Sequence, residues 1–169
     1  MYTFNLCCVL LCMDRIDASR LGGARVFTPS RLRELSPAVL AYIGDSVFEL
    51  RARQHLMWPP IKLNDHTKQV QKVVCAEAQE KYLAKLLIDV ELSEEEHEWL
   101  RRGRNASGRG PSRVTPTTYR AASSLETLLG YLHFTNITRL QEILDAIFPP
   151  EVGMTGIDSD STALNEGAP

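Results

Sequence analysis

The chain has 169 residues, a formal net charge of −2, and 44% hydrophobic, 24% charged and 7% aromatic residues, which fits one soluble globular domain with flexible ends and argues against two full domains. Its longest apolar stretches fall well short of the roughly 18 residues that cross a bilayer, so no transmembrane helix is expected. Four cysteines, Cys7, Cys8, Cys12 and Cys75, have no disulfide-framework spacing and point to a reducing compartment.

Residues 1–13 (MYTFNLCCVLLCM) are apolar but lack the basic region and clean small-residue cleavage site of a secretory signal. A translation start at Met13 and a degenerate organelle-targeting segment remain open beside it; Asp14 and Asp17 count against a transit peptide. The chain therefore divides into a flexible or mis-started leader (1–29), a folded domain (30–148) and a disordered acidic tail (149–169). That tail carries Glu151, Asp158, Asp160 and Glu166 with no Lys or Arg, and too little apolar surface to offset the entropy of ordering it.

Ser36-Pro37 opens a helix, because the serine hydroxyl accepts an orphan backbone N–H and proline fits the first turn. Leu40, Ile43, Val47 and Leu50 predict its buried face up to about Met57, where Trp58-Pro59-Pro60 stops it. A second helix is expected from about Asp65 to Asp89, with Val70, Val74, Ala78 and Leu83 inward and Cys75 as a small core residue. Ser93 and Glu96 form a capping box, and the Glu94–Glu96 run complements a helix dipole rather than marking a metal site. That third helix should end near Gly103. Two more are predicted, about Thr117 to Phe134 and Ile137 to Phe148, with leucines and isoleucines at helical spacing. No stretch alternates in the manner of hairpin strands, so the fold class is all-α.

Arg101, Arg102, Arg104, Arg109 and Arg113 fall in a glycine-containing stretch with no acidic residue from 99 to 125, expected to be a loop. It either wraps against a phosphate backbone, with guanidinium forks on phosphate oxygens, or is a solvated basic loop. Gly44-Asp45 sits inside the first helix, where glycine costs about 1 kcal/mol relative to alanine. Glu126 lies in a strongly apolar helix and is followed one turn later by Gly130. Asp45 is then either a surface residue or arginine partner, or the glycines let two helices approach so that Asp45 and Glu126 converge on one hard cation. Carboxylates suit Mg²⁺, which can activate a water and neutralise charge in phosphodiester hydrolysis.

These residues also carry a resemblance. LAYIGDSVFEL (40–50) and LETLLGYL (125–132) resemble the two acidic helices of the ribonuclease III endonuclease domain; RRGRNASG (101–108) and TTYRAASSLE (117–126) resemble the mini-ribonuclease III branch, which has no double-stranded-RNA-binding domain. The resemblance covers about residues 35–148. It implies an all-helical homodimer that cuts double-stranded RNA with Mg²⁺, Mn²⁺ being a possible substitute. By position, Asp45 and Glu126 match the family's catalytic metal-binding acids. Ala41 and Ser123 stand where longer ribonucleases III carry two further carboxylates, a departure shared by the mini branch that leaves the metal count open. Glu49 matches an acid of that branch, as a supporting residue or as the ion-pair partner of Arg53. Arg101, Arg102, Arg104 and Asn105 match an RNA-contacting element; Arg109 and Arg113 extend it, Tyr119 and Arg120 lead into the Glu126 helix, and Lys68 aligns with a basic position.

Large-subunit (23S-type) ribosomal RNA precursor is the implied substrate, with a ribosomal-protein helper among possible partners. The location follows as bacterial cytoplasm, or the plastid stroma in a plant or alga. The rival from another class is a non-catalytic RNA-binding or ribosome-associated protein on the same fold.

Overall fold

The computed structural model describes residues 27–149; the expectations for the leader and tail, Cys7, Cys8 and Cys12 included, lie outside the described residues. Within that span there are helices and no strand: α1 (Pro29–Glu34), α2 (Pro37–His55), α3 (Leu63–Val74), α4 (Ala76–Asp89), α5 (Glu94–Ala106), α6 (Pro116–Thr135) and α7 (Ile137–Ile147). The all-α expectation holds, and α1 is an element the sequence pattern did not announce.

Helix α6 is the axis of the molecule. From Ala122 to Leu132 every residue but Glu126 is buried, as a helix must be when neighbours cover it all round. Helix α2 packs against it most extensively, followed by α5 and α4. Local signals start these helices where the sequence placed them: the Ser36 side chain accepts from Ala38 N at 3.3 Å with Pro37 at the first position, and Thr115 accepts from Thr118 N at 3.2 Å.

Three expectations are corrected. The core face of α2 is Leu40, Ala41, Gly44, Phe48 and Ala52, with Ile43 and Val47 only half-buried and Leu50 58% exposed. The helix is turned because its smallest residues, not its most apolar ones, meet α6. The long helix over 65–89 is two helices broken at Cys75, whose backbone is extended (φ −69°, ψ 156°). Neither glycine nor proline marks that break, and β-branched Val73 and Val74 supply only a weak helix preference there. Cys75 is a half-buried free thiol at the junction rather than a core residue, its Sγ 3.4 Å from Lys72 O. Finally, α5 runs past Gly103 to Ala106, so Arg101, Arg102, Arg104 and Asn105 are helical; the connection to α6 begins at Ser107.

The capping box at the start of α5 forms as expected: Ser93 N donates to Glu96 Oε2 (2.7 Å) and Glu96 N to Ser93 Oγ (3.2 Å). Glu96 also accepts from Arg139 Nε of α7 at 2.8 Å, and Arg139 Nη2 reaches Glu91 O at 2.7 Å. One carboxylate thus caps α5 and ties it to α7.

Candidate active site

The α2–α6 crossing is a backbone contact made by glycines. A Cβ on Gly44 would sit 1.8 Å from the carbonyl oxygen of Glu126, and one on Gly130 would sit 2.0 Å from that of Leu40. Neither position admits any side chain, because backbone cannot yield as a rotamer can. Gly103 brings α5 onto α6 as well, though less closely, since a Cβ there would lie 2.4 Å from Thr127 Oγ1 and 2.9 Å from Ser123 O. The glycine beside each acid is therefore what brings the two acids together.

Asp45 and Glu126 line one cleft of about 260 Å³, with Ala41, Tyr42, Ser123 and Tyr119 around them and Gly103, Ser107 and Gly108 closing one side. Burial pushes the Glu126 carboxyl up to about 7, and the negative charge of Asp45 adds to the rise; the polar side chain of Gln79 works against it. Asp45 is raised as well, by burial first and by Glu49 second. Neither acid has an ion-pair partner among the described residues. Two like charges held in a partly dry cleft without a cation disfavour joint ionisation, and a divalent ion would relieve both the repulsion and the desolvation. The donor set is hard oxygen, which fits Mg²⁺ or Mn²⁺. Two acids are also all there are, for no group of three or more His, Cys, Asp or Glu able to hold a metal occurs among the described residues. Ala41 and Ser123 occupy the cleft wall without adding a charge.

The remaining expected residues divide. Tyr119 lines the cleft, and its ring is packed against Gly110 of the α5–α6 connection. Glu49 forms the ion pair with Arg53 and lies in a separate shallow depression, acting on Asp45 through charge alone. Arg102 is turned into the fold, its guanidinium 4.1 Å from the Trp99 ring centroid and donating to Arg33 O at 3.1 Å. Arg101 pairs with Glu98, and it shares with Arg104 a depression on the Leu83–Leu87 side rather than the acid cleft. Asn105, Arg109, Arg113 and Arg120 are exposed. Lys68 lies 3.8 Å from Asp65 in an exposed pair on α3. Sequence reasoning missed Gln79, 2% exposed, whose amide donates to Val74 O at 3.2 Å and whose side chain acts on the Glu126 carboxyl. Its signal was a polar residue at an apolar position of the face carrying Leu83 and Leu86.

The class to which this all-helical unit with two unpaired carboxylates in one cleft belongs, that of ribonuclease III-type endoribonucleases, is given by comparison with known proteins. The family model of the ribonuclease III domain matches residues 38–136, a span that holds both acids and the glycine crossing. A mini-ribonuclease 3 of Synechocystis sp. is 45% identical over 120 residues, 71% of this chain and 82% of that protein. Those of Gloeobacter violaceus and Enterococcus faecalis are 43% and 34% identical over 116 residues, covering 69% and 67% of this chain and 84% and 88% of theirs. A crystal structure of a Fusobacterium nucleatum protein superposes with a TM-score of 0.60 at 27% identity, over 69% of this chain and 91% of that one. The chain belongs to the ribonuclease III family, in its mini-ribonuclease 3 branch, and is an endoribonuclease. No helix among the described residues is long and apolar enough to cross a membrane.

Proposed function

We propose that this endoribonuclease cuts double-stranded RNA as a homodimer, with Mg²⁺ held by Asp45 and Glu126, and that a structured large-subunit ribosomal RNA precursor is its substrate. The observation that carries the metal reading is the pair of carboxylates in one cleft with raised pKa values and no cationic partner. When bound, a divalent cation would neutralise charge at the scissile phosphate and favour attack by water. The protein's own contribution is to hold the two acids at a rigid glycine crossing and to keep the cleft narrow. Arg104, Arg109 and Arg113, exposed on and after the end of α5, would grip phosphates without reading sequence, since the A-form major groove is too deep and narrow for side chains. A homodimer is supported by the outer face of α2, where Val39, Tyr42 and Leu50 stand 49%, 75% and 58% exposed at spacings that share one stripe. Tyr42 also borders the acid cleft, so a second copy on that stripe would sit beside the site. The location that follows is bacterial cytoplasm or plastid stroma.

The test is cleavage of a long RNA duplex and of a ribosomal-RNA precursor, with Mg²⁺ and with chelator, by wild type and by Asp45→Asn. We expect Mg²⁺-dependent cutting that falls by at least about a thousandfold in the variant, the scale of a lost metal-dependent step, with folding and RNA binding retained. Equal cutting by Asp45→Asn would remove that residue from the site.

A further inference from the structure

We infer that Gly110, seated on the ring of Tyr119, is a positioning residue: it fixes the α5–α6 connection so that Arg109 stands at the wall of the acid cleft and meets the phosphate that is cut. The inference rests on the RNA-gripping role given to that connection above and sets Arg109 apart from the other arginines in it. A Cβ on Gly110 would lie 2.5 Å from Tyr119 Cγ, 2.8 Å from its Cδ1 and 2.9 Å from its Cβ. Those atoms are the root of the ring, so the side chain cannot make room by swinging its far end aside. Gly108, two residues earlier, has nothing within 4 Å of the same construction. Close approach therefore demands glycine at 110 and not at 108.

Tyr119 is a fixed post for this contact. It stands in the first turn of α6, which Thr115 caps, and the neighbouring Thr118 is buried and donates to Glu80 Oε2 of α4 at 2.9 Å. The hydroxyls of Thr115 and Thr118 are 2.8 Å apart. The near end of the connection is held as well, since Ser107 N donates to Gly103 O at 3.1 Å and Ser107 Oγ to Arg104 O at 2.8 Å. Ser107, Gly108 and Tyr119 all line the acid cleft. Arg109 lies between these two anchors, so its backbone follows the cleft wall. Its side chain is exposed and has no ion-pair partner among the described residues. A guanidinium that no carboxylate engages, on a backbone held at the cleft wall, can set its planar fork on a phosphate entering the cleft. Arg113 is placed differently, in the turn beyond Gly110 that Val114 N closes on Pro111 O at 3.0 Å.

The test uses the full-length protein and a short RNA duplex, with single-turnover cleavage at saturating enzyme and Mg²⁺ measured beside thermal melting. Arg109→Ala should slow cleavage by about tenfold or more, within the scale on which one misplaced group at a reacting centre acts. Gly110→Ala should give a similar loss while still melting cooperatively. The two substitutions together should lose no more than either alone, because they remove one interaction, whereas Gly110→Ala and Arg113→Ala should multiply. Tyr119→Leu, which removes the ring face, should reproduce the loss, and Tyr119→Phe, which keeps it, should recover most of the wild-type rate. Should Gly110→Ala fail to melt cooperatively, the two Tyr119 variants decide. Cleavage by Gly110→Ala or Tyr119→Leu within about twofold of wild type, or losses that multiply with that of Arg109→Ala, would overturn the inference. If Arg109→Ala alone cut at the wild-type rate with an unchanged salt dependence of RNA binding, the RNA role of Arg109 would fall, a separate failure that this single variant identifies.

Discussion

Glu96 and Glu126 are the same residue type, each held by a helix at the centre of the molecule, yet their surroundings are opposite. Burial would raise Glu96, but hydrogen bonds from Arg139 and Ser93 outweigh it and hold the carboxyl below its ordinary range. Glu126 shares its cleft with the charge of Asp45 and has no cationic partner among the described residues, and burial first and Asp45 second push it up to about 7. A satisfied carboxylate stabilises the fold. One left unsatisfied stores a cost that a cation can relieve, and that contrast separates the structural acid from the functional one better than burial does.

The contrast can be broken most severely at its structural end. Arg139→Met leaves Glu96 buried without its cation, and breaking such a pair costs several kcal/mol, discounted to about 2–3 kcal/mol for the part-exposed guanidinium. The melting temperature should fall by roughly 5–10 °C while cleavage per folded molecule stays within a few-fold of wild type. Loss of cleavage without loss of stability would reverse the roles given to the two regions.

At the functional end the sign is opposite. Because Glu126 binds its proton more tightly folded than unfolded, stability falls as pH rises from about 4.5 towards 7, and the penalty persists above that. Glu126→Gln removes the ionisation, so the metal-free variant should melt higher than wild type at pH 8. The expected gain is about 2 kcal/mol, on the order of 5 °C. The gain should shrink to a small part of this at pH 5 and vanish below about pH 4, where the carboxyl is protonated in the folded and the unfolded chain alike. Added Mg²⁺ should raise the melting point of wild type at pH 8 and not that of the variant. A variant less stable than wild type at pH 8 without metal would mean that Glu126 is satisfied after all.

What the sequence disclosed follows the same division between local and distant causes. Ser36-Pro37 and Ser93 with Glu96 act within one turn, and each begins its helix where the pattern placed it. The Gly44–Asp45 and Glu126–Gly130 pairs stood out because each weakens its own helix, which left their meaning to be found in a partner. By contrast, the burial of Ala41 and Gly44 in place of Ile43 and Leu50 depends on Gly130 across the crossing, and no periodicity within α2 contains that information. Gly103 read as a helix end but is a contact with Thr127 inside α5. The basic segment was misread for the same reason: its first three arginines belong to a helix whose continuation is decided by α6.

Those arginines extend the lesson to the opposite charge. Arg102 is engaged by Trp99 and the Arg33 carbonyl, as Glu96 is by Arg139, whereas Arg104 is exposed and has no ion-pair partner among the described residues. The engaged arginine should serve the fold and the exposed one the RNA. Arg104→Ala is expected to weaken binding of a short RNA duplex by a few-fold, irrespective of its sequence, and to reduce the slope of log affinity against log salt by about 1. Arg102→Ala should leave that slope unchanged and lower the melting temperature by a few degrees through the lost stacking, worth about 1 kcal/mol. The salt slope is the decisive quantity, since a structural change shifts affinity at every salt concentration alike while a lost phosphate contact alters its dependence on counterions. Equal slopes for the two variants would mean that the end of α5 does not touch the RNA backbone, and the gripping role would pass to Arg109 and Arg113 alone.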